Sequence, residues 1–286
     1  MSSRLGLIGG SGLYKMPALA DGDWISVETP WGTPSDQLLI GVIEGREVAF
    51  LPRHGRGHRI APDEINYRAN IAALKAAGCT EILAISAVGS FREELPPGMF
   101  VAVDQYVDRT VRGGRSFFGS GIVGHVAFGQ PACGRLRALV GTALSDLALP
   151  HRIGGTMVVT EGPQFATRAE SALHRASGFD VVGMTGLPEA RLAREAELCY
   201  QCVAMVTDFD AWADHDVDVG EIVRVMNANV ANAQALVAKV ARLSSTSGSC
   251  NEGCRTALEG SVMTARDAWP EATRRRLATL APRIFA

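Results

Sequence analysis

Two carboxylates, Asp208 and Asp210, close the apolar run Val203-Ala204-Met205-Val206, with Phe209 and Trp212 just behind them. On an extended backbone, side chains two apart face the same side, so both carboxylates can meet one ligand; a helix cap or a solvated loop is the competing reading. Three further clusters suit an anion. Ile8-Gly9-Gly10-Ser11-Gly12-Leu13 follows a short apolar run, where a glycine-rich turn presents backbone N–H groups to phosphate and Ser11 adds a hydroxyl. Lys15 stands where the last glycine of G-x-G-x-x-G would fall, which disfavours a dinucleotide site, and a tight structural turn explains the glycines as well. Arg53-His54-Gly55 sits just past another apolar run, placing a guanidinium fork where it can hold phosphate. Ser86-Ala87-Val88-Gly89-Ser90 ends a third. Each cluster alone is ordinary loop chemistry; together they place anion donors at the ends of three strands, where open α/β sheets bind ligands.

The elements that carry these groups read as follows. Strands are expected at Leu5–Ile8, Gln37–Val42, Glu47–Leu51, Glu81–Ala87, Met99–Val103, Thr156–Thr160, Asp180–Val182 and Cys199–Thr207. Helices are expected at Pro62–Ala77, Cys133–Ala148, Thr167–Ser177, Leu187–Ala196 and Val219–Leu243. The last is the most regular, with Val219, Ile222, Val223, Met226, Val230, Ala233, Val237 and Val240 on one face. Strands such as Ile82-Leu83-Ala84-Ile85 are apolar throughout, so the sheet is covered on both sides and the class is α/β with one large core. The polar run Ser244–Ser249 divides a main domain, residues 1–243, from a C-terminal appendage, residues 244–286, with a helix around Ala265–Leu280.

The chain has 286 residues, 47% hydrophobic and 20% charged, and its net charge of −2 lacks the basic excess of a nucleic-acid-binding protein, so no DNA or RNA partner is expected. No apolar run approaches the ~20 residues of a membrane-spanning helix. The first residues carry no basic stretch with a cleavage site, so a cytoplasmic protein is expected. Among Cys79, Cys133, Cys199, Cys202, Cys250 and Cys254, the pair Cys199-x-x-Cys202 is flanked by Leu198, Tyr200 and Val203 and reads as buried thiols on an inner strand. No His/Cys set has convincing zinc spacing: His54 and His58 are four apart, but Gly55 and Gly57 argue against a helix presenting both. No metal is expected.

The sequence resembles the methylthioadenosine phosphorylase branch of the trimeric purine nucleoside phosphorylase family. The matching motifs, in order, include residues 8–13, Arg53-His54-Gly55, Asn66-Tyr67-Arg68-Ala69-Asn70 and Asp104-Gln105-Tyr106-Val107-Asp108-Arg109-Thr110. They continue with Glu161-Gly162-Pro163-Gln164-Phe165, Met184-Thr185-Gly186-Leu187-Pro188-Glu189 and Thr207-Asp208-Phe209-Asp210-Ala211-Trp212. The resemblance implies a single α/β domain on a central mixed, distorted barrel-like sheet flanked by helices, assembled as a homotrimer or a dimer of trimers. It implies that Ser11, Arg53, His54, Ser86, Ala87 and Thr185 bind phosphate, that Phe165 stacks on the purine and that Met184 lies along the ribose. It further implies that His125 reaches a neighbouring subunit's 5′ pocket, lined by Val219, Ile222 and Val223.

The implied reaction is phosphorolysis of 5′-methylthioadenosine to adenine and 5-methylthioribose 1-phosphate. Asp208 serves as general acid to purine N7, Asp210 accepts from the 6-amino group, phosphate is co-substrate and no cofactor is needed. Gly183 departs from the asparagine that animal relatives carry, and the run through Ala190 resembles bacterial relatives, some of which act on methylthioinosine; Gln164 replaces a common arginine. The alternatives are a 6-oxopurine phosphorylase, which would favour asparagine at the purine-facing position, and a non-catalytic nucleoside-binding paralogue, which would be expected to lose the phosphate ligands. Relatives with disulfides near the C-terminus suggest a Cys250–Cys254 bridge, but in a reducing cytoplasm free thiols are the expected state.

Overall fold

The structure, a computed structural model, describes residues 3–10, 13, 16–212, 218–246 and 250–286. Its frame is an 11-stranded mixed sheet. The strands are β1 (Arg4–Gly9), β2 (Asp23–Ile25), β3 (Leu38–Ile43), β4 (Arg46–Pro52), β5 (Cys79–Ser90), β6 (Phe100–Ala102), β7 (Gln105–Asp108), β8 (His151–Ile153), β9 (Thr156–Val159), β10 (Val181–Gly183) and β11 (Cys199–Phe209). One path runs β2-β3-β4-β1-β5-β10-β9-β7, and β5 also pairs with β11, which continues to β6 and β8. The sheet therefore forks at β5, whose early residues pair with β1 and whose last two pair with β10.

All eight strands expected from apolar runs are present. The three that were not, β2, β7 and β8, each end a branch of the sheet and bury little. Edge strands need no continuous apolar run, so nothing in the hydrophobic pattern marks them.

The α-helices among the described residues are α1 (Tyr67–Ala76), α2 (Gly134–Asp146), α3 (Arg168–Ala176), α4 (Gly186–Glu195), α5 (Val219–Thr246), α6 (Glu271–Ala278) and α7 (Pro282–Phe285). α1 begins later than its Pro62 signal because Asn66 caps it, accepting from the Ala69 N–H at 3.1 Å. The Asn66 amide also donates to the Trp31 carbonyl, and buried Asn70 accepts from Ser35 N–H at 2.7 Å. The Asn66–Asn70 motif thus pins the 31–35 loop beside the Arg53-His54 turn. α3 starts on a capping box formed by Thr167 and Glu170.

Residues 250–286 share the main core rather than standing apart. Leu258, Leu277, Leu280 and Phe285 join the cluster that holds Ile82 and Tyr200, and Cys254 joins the cluster that holds Leu83 and Leu236. The helix expected near Ala265–Leu280 is α6. This segment also holds the strap that carries His125: the His125 N–H donates to Ser261 O at 2.9 Å, and Thr273 Oγ1 donates to Ser120 O at 2.7 Å. No disulfide joins any of the six cysteines in this structure, Cys250 and Cys254 included. No helix among the described residues is long and apolar enough to cross a membrane.

Candidate active site

A cavity of about 470 Å³ opens where the C-terminal ends of the mutually parallel strands β1, β4, β5 and β11 converge. That is a volume suited to a nucleoside-sized ligand. Its walls bring together Arg53, His54, Ser86, Ala87, Thr185, Phe165, Met184, Asp208, Asp210, Val219, Ile222 and Val223. Ser11 lies outside the described residues, although its neighbour Gly10 lines the cavity. His125 does not line it; it is exposed on the strap outside.

The carboxylate end is shaped by an irregularity in β11. Its register against β5 shifts between Val206 and Asp208, so that Asp208 pairs with Gly89. A side chain at position 89 would come within 3.2 Å of Asp208 Oδ2 and 3.4 Å of Asp210 Cβ; glycine leaves that space to the two acids. Beyond the strand, Asp210 N–H and Trp212 Nε1 both donate to Ser90 O, fixing the turn. The acids do share one side, as their spacing suggested.

Their surroundings differ. Burial lifts the Asp208 carboxyl to about 6, against the opposing hydrogen bond from Thr207 Oγ1 at 2.7 Å and with a further push from the Asp210 charge. Burial also raises Asp210, tempered by the nearby Ser171 hydroxyl and the Ala211 N–H. Asp210 is only 3% exposed, and its Oδ2 forms no hydrogen bond among the described residues. The residue nonetheless lines the cavity, where its carboxyl can meet a donor on a ligand.

At the other end, Ser86 Oγ and Thr185 Oγ1 lie 3.4 Å apart. Thr185 heads α4 without capping it, which leaves its hydroxyl available. His54 Nδ1 is 2.9 Å from the Ile60 carbonyl, so Nδ1 carries the proton there. Burial, joined by the Arg53 charge, lowers His54 to about 4; the neutral ring therefore offers Nε2 as an acceptor. The ring stacks on His58 at 4.4 Å, which explains the four-residue histidine spacing without a metal.

Arg53 departs from the expected arrangement. Its Nε and Nη2 donate to Glu189 at 3.0 and 3.2 Å, and Nη1 donates to Ile85 O at 3.0 Å. The fork reserved in the sequence for phosphate thus grips a carboxylate 136 residues away, and Tyr200 Oη adds a hydrogen bond to the same carboxylate at 2.7 Å. Burial opposes the Arg53 charge, but the Glu189 carboxylate more than offsets it and holds the guanidinium above its usual range. Arg53 remains in the cavity wall as a fixed positive charge. Arg53→Ala would strand Glu189 in the interior and is expected to destabilise the fold by about 3–5 kcal/mol. Urea unfolding of the variant checks this; a midpoint matching the parent would mean that the pair is structurally dispensable.

A second buried arginine carried no signal in the sequence. Arg112 Nη1 donates to Pro62 O, Tyr67 Oη and Met184 O at 2.9, 2.8 and 3.0 Å, while Nη2 donates to Glu161 O at 2.8 Å. It ties the segments bearing Met184 and Phe165 to α1. The apolar face of α5 serves two purposes. Val219, Ile222, Val223, Met226, Val230 and Ala233 line the cavity, whereas Leu236, Val237, Val240 and Ala241 are buried in the core. Phe165, at 46% exposed, and Val219, at 60%, flank the open side.

Comparison with known proteins bears on this arrangement. Residues 4–242 match the Phosphorylase superfamily. The chain is 51% identical over 284 residues to the S-methyl-5′-thioadenosine phosphorylase of Rhodospirillum rubrum, covering 98% of this chain and 97% of that one. It is 50% identical over 268 residues to the enzyme of the same name from Cereibacter sphaeroides, covering 93% and 92%. The crystal structure of a methylthioadenosine phosphorylase from an antarctic soil metagenomic library superimposes with a TM-score of 0.92 at 41% identity, covering 98% of this chain and 99% of that one. A Schistosoma mansoni adenosine/methylthioadenosine phosphorylase variant solved with methylthioadenosine gives 0.86 at 35% identity, covering 92% and 99%. The chain belongs to the phosphorylase superfamily, in its methylthioadenosine phosphorylase branch.

Proposed function

We propose that the protein cleaves the N-glycosidic bond of 5′-methylthioadenosine with inorganic phosphate, giving adenine and 5-methylthioribose 1-phosphate. The observation that carries this reading is the division of one cavity into a hydroxyl-rich end, at Ser86 and Thr185, and a two-carboxyl end, at Asp208 and Asp210. The names of the relatives support it, as do solved Schistosoma mansoni neighbours holding methylthioadenosine and adenine.

Cleavage builds positive charge on the ribose and negative charge on the departing purine. Phosphate, held by the Ser86 and Thr185 hydroxyls and the Ala87 backbone, faces the sugar, and one of its oxygens attacks the anomeric carbon as the bond to N9 breaks. His54 Nε2 accepts from a protonated phosphate oxygen, and Arg53 supplies the fixed charge behind it. Ser11, next to Gly10 in the sequence, is the further hydroxyl we assign to phosphate. Asp208 delivers its proton to N7 as electrons collect on the base. Asp210 accepts from the 6-amino group, Phe165 stacks on the purine and Met184 lies along the ribose. The apolar start of α5 receives the methylthio group, a class of contact that apolar side chains make well. Phosphate acts as co-substrate, with no organic cofactor or catalytic metal.

The assembly we infer is a homotrimer or a dimer of trimers, in which His125 of each copy closes the 5′ pocket of the next. The exposure of His125 and the open side at Val219 and Val223 support this. The place of action is the cytoplasm, in purine and methionine salvage. The reading is tested by following adenine release from methylthioadenosine with and without phosphate. Release that needs phosphate and yields a sugar phosphate is the expected result; phosphate-independent release would make the protein a hydrolase.

A further inference from the structure

The four cysteines Cys133, Cys199, Cys250 and Cys254 come from three distant parts of the chain and converge on one point. Cys133 precedes the first turn of α2, Cys199 opens β11, and the other two flank a tight turn in the C-terminal segment. All four Sγ atoms lie within 4.8 Å of one another, and those of Cys133 and Cys250 are 3.7 Å apart. A tetrahedral zinc site with Zn–S bonds of about 2.3 Å has sulfurs separated by about 3.8 Å, so the spacing is close to that of a tetrathiolate. Two disulfides would instead sort the sulfurs into two bonded pairs at about 2.05 Å.

The surroundings suit thiolates. The Glu252 N–H donates to Cys250 Sγ at 3.4 Å, and Arg194 Nη1 donates to Cys254 Sγ at 3.7 Å. Such N–H donors and a nearby cation are the outer shell that a thiolate–metal group requires. The spacing Cys250-x-x-x-Cys254 falls within the range of zinc-binding turns, and Gly253, at φ +70°, supplies the left-handed residue the turn needs. The Glu252 carboxylate accepts from Gly134 N–H at 2.6 Å, locking this turn onto the start of α2.

We propose that Cys133, Cys199, Cys250 and Cys254 form a structural tetrathiolate site for a divalent zinc ion, which fastens the C-terminal segment to α2 and β11. The site is separate from the cavity: Asp208 lies nine residues further along β11, roughly 30 Å at about 3.3 Å per residue. With four protein ligands it has no open position and therefore no catalytic task. Sequence spacing hid the set, because only Cys250 and Cys254 are near neighbours along the chain.

The test is metal analysis of the full-length protein purified under reducing conditions. One zinc per chain is expected, falling to trace in Cys254→Ser and Cys133→Ser and retained in Cys79→Ala, whose thiol lies elsewhere in the core. The unaltered chain, stripped and reloaded with cobalt(II), is expected to show thiolate-to-cobalt charge-transfer bands and the visible bands of a tetrahedral ion. That readout holds whether or not the serine variants fold. Substoichiometric zinc together with a featureless cobalt spectrum overturns the proposal. So does peptide mapping of the protein, taken from reducing cells without added oxidant, that finds any two of these cysteines joined as a disulfide.

Discussion

Asp208→Ala is expected to lower turnover by about 10²–10⁴, the usual contribution of a positioned general acid. The expectation rests on the protonation state of a particular carboxyl. Burial and the Asp210 charge hold Asp208 at about 6, so an appreciable part of the population keeps its proton near neutral pH. An unperturbed aspartate near 3.9 would be almost wholly ionised there and could donate nothing. The sign of the pH dependence follows. As pH rises through about 6 the acid form of the free protein is lost, and kcat/KM for the nucleoside should fall along that limb. Asp210→Asn removes the neighbouring charge that raises Asp208, so the same limb should move to lower pH. Steady-state kcat/KM for the nucleoside against pH, in the parent and both variants, separates these effects, with phosphate KM as the control expected to change least. A parent-like turnover in Asp208→Ala would remove it from the chemistry.

How much of this was legible in the sequence depended on how locally each feature is encoded. The central strands announce themselves because burial on both faces leaves unbroken apolar runs, as at Ile82–Ile85. The carboxylate pair was readable because two acids ending such a run violate its pattern. The β11 irregularity that aims Asp208 was not readable, since a register shift belongs to the pairing of two strands rather than to either alone. The Arg53–Glu189 pair was hidden for the same reason. Both residues stood in recognised motifs, yet nothing local said that they face each other. Arg112 shows the other limit: a lone arginine in a polar loop, Val111-Arg112-Gly113-Gly114, looks solvated until the fold buries it against five acceptors. The α5 stripe gave the helix and its buried face correctly, but periodicity does not distinguish a face that meets the core from one that meets a ligand.

Methylthioadenosine is expected to be preferred over methylthioinosine, by as much as ~10⁴–10⁵ in kcat/KM if the site behaves as others built around a substrate hydrogen bond do. The cause is Asp210. It lines the cavity at only 3% exposure, and adenine brings an N–H donor to position 6 where hypoxanthine brings a carbonyl. Setting an ionised carboxylate against that carbonyl opposes two acceptors in a space from which water is excluded, and each then pays for desolvation with no bond in return. Asp210→Asn offers an amide that can accept from one base or donate to the other, so it should narrow the gap, chiefly by raising kcat/KM for the inosine form. Because burial raises the Asp210 carboxyl, lowering the pH should have a similar effect in the parent. A protonated Asp210 can donate to a 6-carbonyl, so discrimination should shrink as the medium becomes more acid. Gly183 lines the same cavity without a side chain, and a Cβ added there would meet Met157 Sδ and Val88 Cγ1, each at 3.3 Å. Comparing kcat/KM for the two nucleosides across pH, in the parent and in Asp210→Asn, reads the prediction directly. Equal values in the parent, or a gap untouched by Asp210→Asn, would show that the base is selected elsewhere.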